Sequence, residues 1–95
     1  MGVSLIIRFN AKPERANAFR ELMHGVKAAL PEVTGCRGAR VYNDLDDPLG
    51  FTLVETWDSK ELHARHIKTV VDSGQWAQIL EHLSTEPTSA FYREL

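Results

Sequence analysis

The apolar residues of this chain change their repeat along its length, from a period of two to one near 3.6 and back, and the order of those changes leaves few folds open. Residues 3–10 (VSLIIRFN) alternate, with Val3, Leu5, Ile7 and Phe9 on one face and Ser4, Ile6, Arg8 and Asn10 on the other. That is a strand whose first set faces a core. Pro13 presets a helical φ where its missing N–H costs nothing, and Glu14 follows in the first turn. Ala16, Phe19, Leu22, Met23, Val26, Ala29 and Leu30 then draw one apolar stripe, with Glu14, Arg20, Glu21 and Lys27 opposite. Pro31 disfavours the α region for Leu30, so the helix is expected to end there.

Residues 36–43 (CRGARVYN) read as a second strand, in which Gly38 marks a bulge or a close backbone approach. The turn formers from Asp44 to Gly50 lead into a third strand, 51–57 (FTLVETW), as a hairpin. Asp58-Ser59 supplies a cap, and a second helical region runs from about Lys60 to about Leu83, with a break expected near Ser73-Gly74. Pro87 stops it, and 88–95 (TSAFYREL) closes the pattern as a strand. One domain over residues 1–95 follows, α+β, with the ferredoxin-like β-α-β-β-α-β order: an antiparallel sheet carrying its helices on one face.

Such a sheet leaves its other face uncovered. Ile6, Val41, Val54 and Thr56 are expected to line it in part, with Arg8 and Arg40 among them. A chain this short buries only about 60–70% of its unfolded surface, so a second copy packed on that face is the simplest cover. A homodimer is expected.

With 11 basic and 13 acidic residues, a net charge of -2 and no basic cluster, nucleic acid is an improbable partner. The apolar run Leu5-Ile6-Ile7 is too short for a membrane span or a signal-peptide core, and Ile6 breaks the myristoylation pattern that Met1-Gly2 would open, so a cytoplasmic setting is expected. The single cysteine, Cys36, forms no disulfide within the chain.

The chemistry-bearing residues cluster on the third strand and second helix. Phe51, Leu53, Glu55 and Trp57 share a face, which sets a carboxylate among large apolar groups; it needs a partner, a raised pKa or a route to water. His66 lies near the apolar side marked by Leu62, Ile67 and Val70, where a histidine beside a buried glutamate can act as a base near neutral pH. A half-exposed histidine without a role is the plain alternative, and His24, His63 and His82 carry still less argument. His63 and His66 are three apart instead of the four of the HExxH zinc pattern, and no third ligand is evident, so no metal is expected. Neither a Gly-rich phosphate loop nor a CxxCH haem motif occurs. Trp57 and Trp76 offer flat surfaces for an aromatic ring, although core packing is the commoner use.

The stretch 53–66, LVETWDSKELHARH, resembles the antibiotic biosynthesis monooxygenase (ABM) family: a strand ending Glu-x-Trp, then Asp/Glu-Ser, then a helix reaching a histidine. Glu55, Trp57, Ser59 and His66 match by position, and PEVTGCRGARVYND resembles the family's link into its second strand. The resemblance implies a dimeric α+β barrel, a cavity between sheet and helices, and quinol monooxygenase-like oxidation of a small aromatic molecule by O2 with no cofactor. It points to His66 as base or hydrogen-bond partner, Glu55 as its orienter and Trp57 as pocket wall; Leu53 and Phe51 on the same strand face and Trp76 are further candidate substrate contacts.

The chain also departs from the pattern. Leu53 stands where actinorhodin-type members carry an asparagine, Ile6 stands near the strand-one asparagine of the haem-degrading branch, and His66 stands at that branch's tryptophan. Haem degradation is therefore not expected. KTVVDSGQW also replaces the family's Ser-Pro-His run. A non-catalytic dimeric binding or stress-related module, and an isomerase or lyase on a small metabolite, are the alternatives.

Overall fold

The computed structural model describes residues 2–95. In chain order it comprises β1 (Val3–Asn10), α1 (Ala16–Ala29), β2 (Cys36–Asn43), β3 (Gly50–Trp57), α2 (Lys60–Asp72), α3 (Gln75–Glu81) and β4 (Thr88–Tyr92). The strands form one antiparallel sheet in the order β2-β3-β1-β4. This is the ferredoxin-like α+β arrangement, with β1 and β3 central. No helix among the described residues is long and apolar enough to cross a membrane.

The alternation read from β1 fixes the core. Leu5, Ile7 and Phe9 pair with Glu55, Leu53 and Phe51 of β3, and this face is covered by Phe19 and Met23 of α1. Phe19 sits edge-on between Phe9 and Phe51 at centroid distances of 5.3 and 5.1 Å. Such T-shaped pairs set the positive ring edge against the negative face.

Two local features differ from expectation. The first helix is flanked by 3-10 turns, Pro13–Arg15 and Leu30–Glu32, and Leu30 stays helical with φ -56° and ψ -42°. Pro31 opens the second of those turns, where its missing N–H is harmless, and the chain becomes extended only at Val33. The helical region after β3 breaks where the sequence places it, into two helices parted at Gly74 with φ 87°.

The second difference lies in β2. Its register shifts between Cys36 and Gly38, so Val41 pairs with Leu53 and packs towards the helices. Val41 therefore does not belong to the uncovered face: a bulge of one residue reverses the side on which every later side chain falls. That outer face instead carries Ile6, Val54 and Thr56, half-buried, together with Arg8, Arg40, Tyr42, Ala90 and Tyr92, exposed.

The start of α2 is fixed at several points. Ser59 Oγ accepts from the Leu62 N–H at 3.2 Å, and the Asp58 N–H donates to the Gly35 carbonyl at 2.8 Å. Gly35 has φ 90°, and a Cβ there would meet Leu62 at 2.7 Å. Glycine is required on both counts.

Candidate active site

Between the sheet and the helices lies an apolar cavity of about 120 Å³. Its floor is Ile7 and Phe9 of β1 with Leu53 and Glu55 of β3. Met23, Val26, Ala29, Leu30 and Val33 form one wall, and His63, His66, Ile67, Val70, Gln75, Trp76 and Ile79 form the other. A cavity of roughly 150 Å³ with apolar walls accepts benzene, so this one is sized for a single ring.

Glu55 is 5% exposed, and its Oε1 accepts a 2.7 Å hydrogen bond from the Nε1–H of Trp57, itself 0% exposed. Both side chains leave the same face of β3 two residues apart, which lets the indole reach back to the carboxyl group. Burial raises the Glu55 pKa above the ordinary carboxylate range, and the Trp57 hydrogen bond offsets part of that rise.

His63 and His66 are half-buried, and burial lowers both pKa values; for His63 the neighbouring His66 adds to the effect. Both rings therefore favour the neutral form at pH 7, in which each has a nitrogen able to accept a proton. Their centroids lie 5.4 Å from the Trp57 ring, His63 at 75° and His66 at 33°. His63 also meets the Phe91 ring edge-on, at 5.3 Å and 77°.

Of the residues singled out in the sequence, Leu53, Glu55, His66 and Trp76 come together around the cavity. Phe51 and Trp57 are not among its lining. Phe51 sits at the other end of β3 under Phe19, with the Arg20 guanidinium 5.5 Å from its ring. Trp57 lies behind the histidines and supports them without forming the wall.

Glu55 also has a different neighbour from the expected one. Among the described residues its side-chain hydrogen bond is with Trp57, and no hydrogen bond joins it to His66. It orients the indole, which in turn packs on both imidazoles. His63, set aside in the sequence, lines the cavity beside His66. A signal for it was present: 63, 66, 67 and 70 follow the i, i+3, i+4, i+7 spacing of one helix face, and all four residues line the cavity.

Several solved structures share this fold. A Mycobacterium tuberculosis protein, Rv0793, superposes with a TM-score of 0.87 at 23% identity, over 100% of this chain and 96% of that one. A candidate antibiotic biosynthesis monooxygenase from Deinococcus radiodurans gives 0.82 at 26% identity, over 100% and 93%. Another from Nitrosomonas europaea gives 0.88 at 18% identity, over 99% and 90%. No curated protein matches the chain. The sequence profile described as antibiotic biosynthesis monooxygenase matches residues 2–71. With well over half its length covered by that profile, this chain belongs to the antibiotic biosynthesis monooxygenase family.

Proposed function

We propose that the protein is a cofactor-independent monooxygenase that oxidises a small phenolic or quinol-like aromatic compound with O2. The observation that carries this reading is the apolar, single-ring cavity with a neutral imidazole, His66, on its wall. No lysine or arginine lines it, which favours an uncharged substrate. Its size suits one ring.

In this reading His66 accepts the proton of a ring hydroxyl. Burial opposes an isolated imidazolium, but the phenolate formed beside it supplies the opposite charge. The electron-rich phenolate passes one electron to O2, and the resulting pair combines at a ring carbon. For a quinol the balance closes as quinol plus O2 giving hydroxyquinone plus water: one oxygen atom enters the ring, and the other leaves as water with two protons. The apolar walls exclude bulk water from the radical pair.

Oxygen uptake with a panel of hydroquinones tests the proposal. Saturable uptake that falls at least tenfold in His66→Ala is expected. Substrate consumption that continues unchanged under nitrogen would instead assign proton-transfer chemistry, the isomerase or lyase alternative. A panel that binds without any turnover would leave the non-catalytic module.

The same reading makes the protein a homodimer in the cytoplasm, where the buried thiol of Cys36 stays reduced. Ile6 and Val54 on the outer sheet face, with Tyr42 and Tyr92 at 52% and 53% exposure, form the apolar surface that a second copy would cover. Light scattering should give twice the chain mass, and Val54→Arg should halve it.

A further inference from the structure

We infer that His63 is a second hydrogen-bonding residue of the cavity, which holds the far oxygen of a ring bearing two and so selects a diphenol over a monophenol. This rests on the reading of the cavity as an aromatic-substrate site.

His63 and His66 are one turn apart on α2, which sets their Cβ atoms about 5–6 Å from one another. That separation is of the order of the distance between the two oxygens of a para-diphenol. Both residues line the cavity, and among the described residues neither ring has a hydrogen-bond partner. Half-buried ring nitrogens facing an apolar space are therefore free to engage a ligand, and leaving them unpaired on ligand binding is costly.

The pose of His63 is set from two sides. Trp57 and Phe91 each meet it edge-on, at 5.4 and 5.3 Å, whereas His66 lies tilted at 33° to the same indole. The two imidazoles thus present their nitrogens in different planes, one able to serve the hydroxyl that loses its proton and the other the hydroxyl opposite. The remaining polar side chains of the lining are Glu55, already bonded to Trp57, and Gln75.

The test compares hydroquinone with 4-methoxyphenol, which keeps the ring and one hydroxyl but replaces the second by an ether that cannot donate. Binding is read from tryptophan fluorescence, since Trp76 lines the cavity and Trp57 backs it. Wild-type protein should favour hydroquinone about fivefold to tenfold, the scale of one hydrogen bond. His63→Phe, which keeps an aromatic ring between Trp57 and Phe91, should erase the preference, and His63→Gln should restore part of it.

Equal binding of the two compounds by wild-type protein overturns the inference and leaves the cavity reading standing. So does a His63→Phe protein that weakens both compounds alike, as a packing role would. Should His63→Phe not fold, the wild-type ratio and the Gln variant decide. Binding of neither compound overturns the cavity reading, and this inference with it.

Discussion

The floor of the cavity and its helical wall share one space but differ in construction. On the floor Ile7, Phe9, Leu53 and Glu55 are 2–7% exposed, held by strand pairing on both sides and by the Glu55–Trp57 hydrogen bond. In the wall, α2 and α3 contain no buried residue. Stability is concentrated in the floor, while the groups proposed for chemistry stand on a helix with no buried residue. Binding sites are drawn from the less stable parts of a fold because a ligand must reach them.

Substitutions can sharpen or break that contrast. The largest effect is expected in the sheet that carries the floor: Trp57→Ala removes a fully buried indole and orphans the Glu55 carboxyl, at a cost of about 3–5 kcal/mol in urea unfolding. A loss under 1 kcal/mol would mean that the floor is not the stable half. Next is Gly35→Ala, which forces a side chain into a positive φ and against Leu62. A loss of about 1–3 kcal/mol is expected by thermal unfolding. In the wall, His66→Ala should cost less than about 1 kcal/mol, because the half-buried ring makes no protein hydrogen bond, while oxygen uptake falls at least tenfold. A stability loss as large as that of Trp57→Ala would erase the distinction.

The smallest effect is in pH dependence, where floor and wall carry opposite signs. The unfolded chain binds protons at His63 and His66 that the folded state resists, so their contribution to stability is lost as pH falls below about 6.5 towards the lowered folded values. Glu55 is the reverse. Its folded pKa is raised, so its contribution is full below about 4.3 and is lost as pH climbs through the folded value. Denaturant titrations from pH 4 to 8 should flatten on the acid side in the doubly substituted His63→Phe, His66→Leu protein, and Glu55→Gln should remove the opposite slope. Unchanged profiles in both would refute the assignment.

The same division governs what could be read from the sequence. In β1 and β3 the period-two pattern places each side chain unambiguously, so Glu55 and Leu53 were found on the inner face with Ile7 and Leu5. Strand β2 defeated that reading at Val41, because pattern alone does not locate the bulge between Cys36 and Gly38. In α2, Leu62 reads as core and packs against it beside Gly35, but the stripe aimed at the cavity starts at His63. The Glu55–Trp57 bond was hidden too, since i, i+2 residues of a strand share a face but their rotamers decide whether they touch. Phe51 shows that sharing a face is not sharing a site: the cavity occupies only the middle of β3, at Leu53 and Glu55.

The glycine contact beneath α2 anchors that helix at its start. Its first turn is clamped by the Ser59 cap, the Asp58 to Gly35 hydrogen bond and the Leu62 seat, whereas at its far end Gly74 has nothing within 4 Å of where a Cβ would stand. His63 and His66 stand within about two turns of that clamp, while Val70, Gln75 and Trp76 line the cavity farther from it. Changes around α3 can thus alter which ring fits while the histidines keep their aim, and the SGQW stretch is where an engineer would broaden the range of substrates.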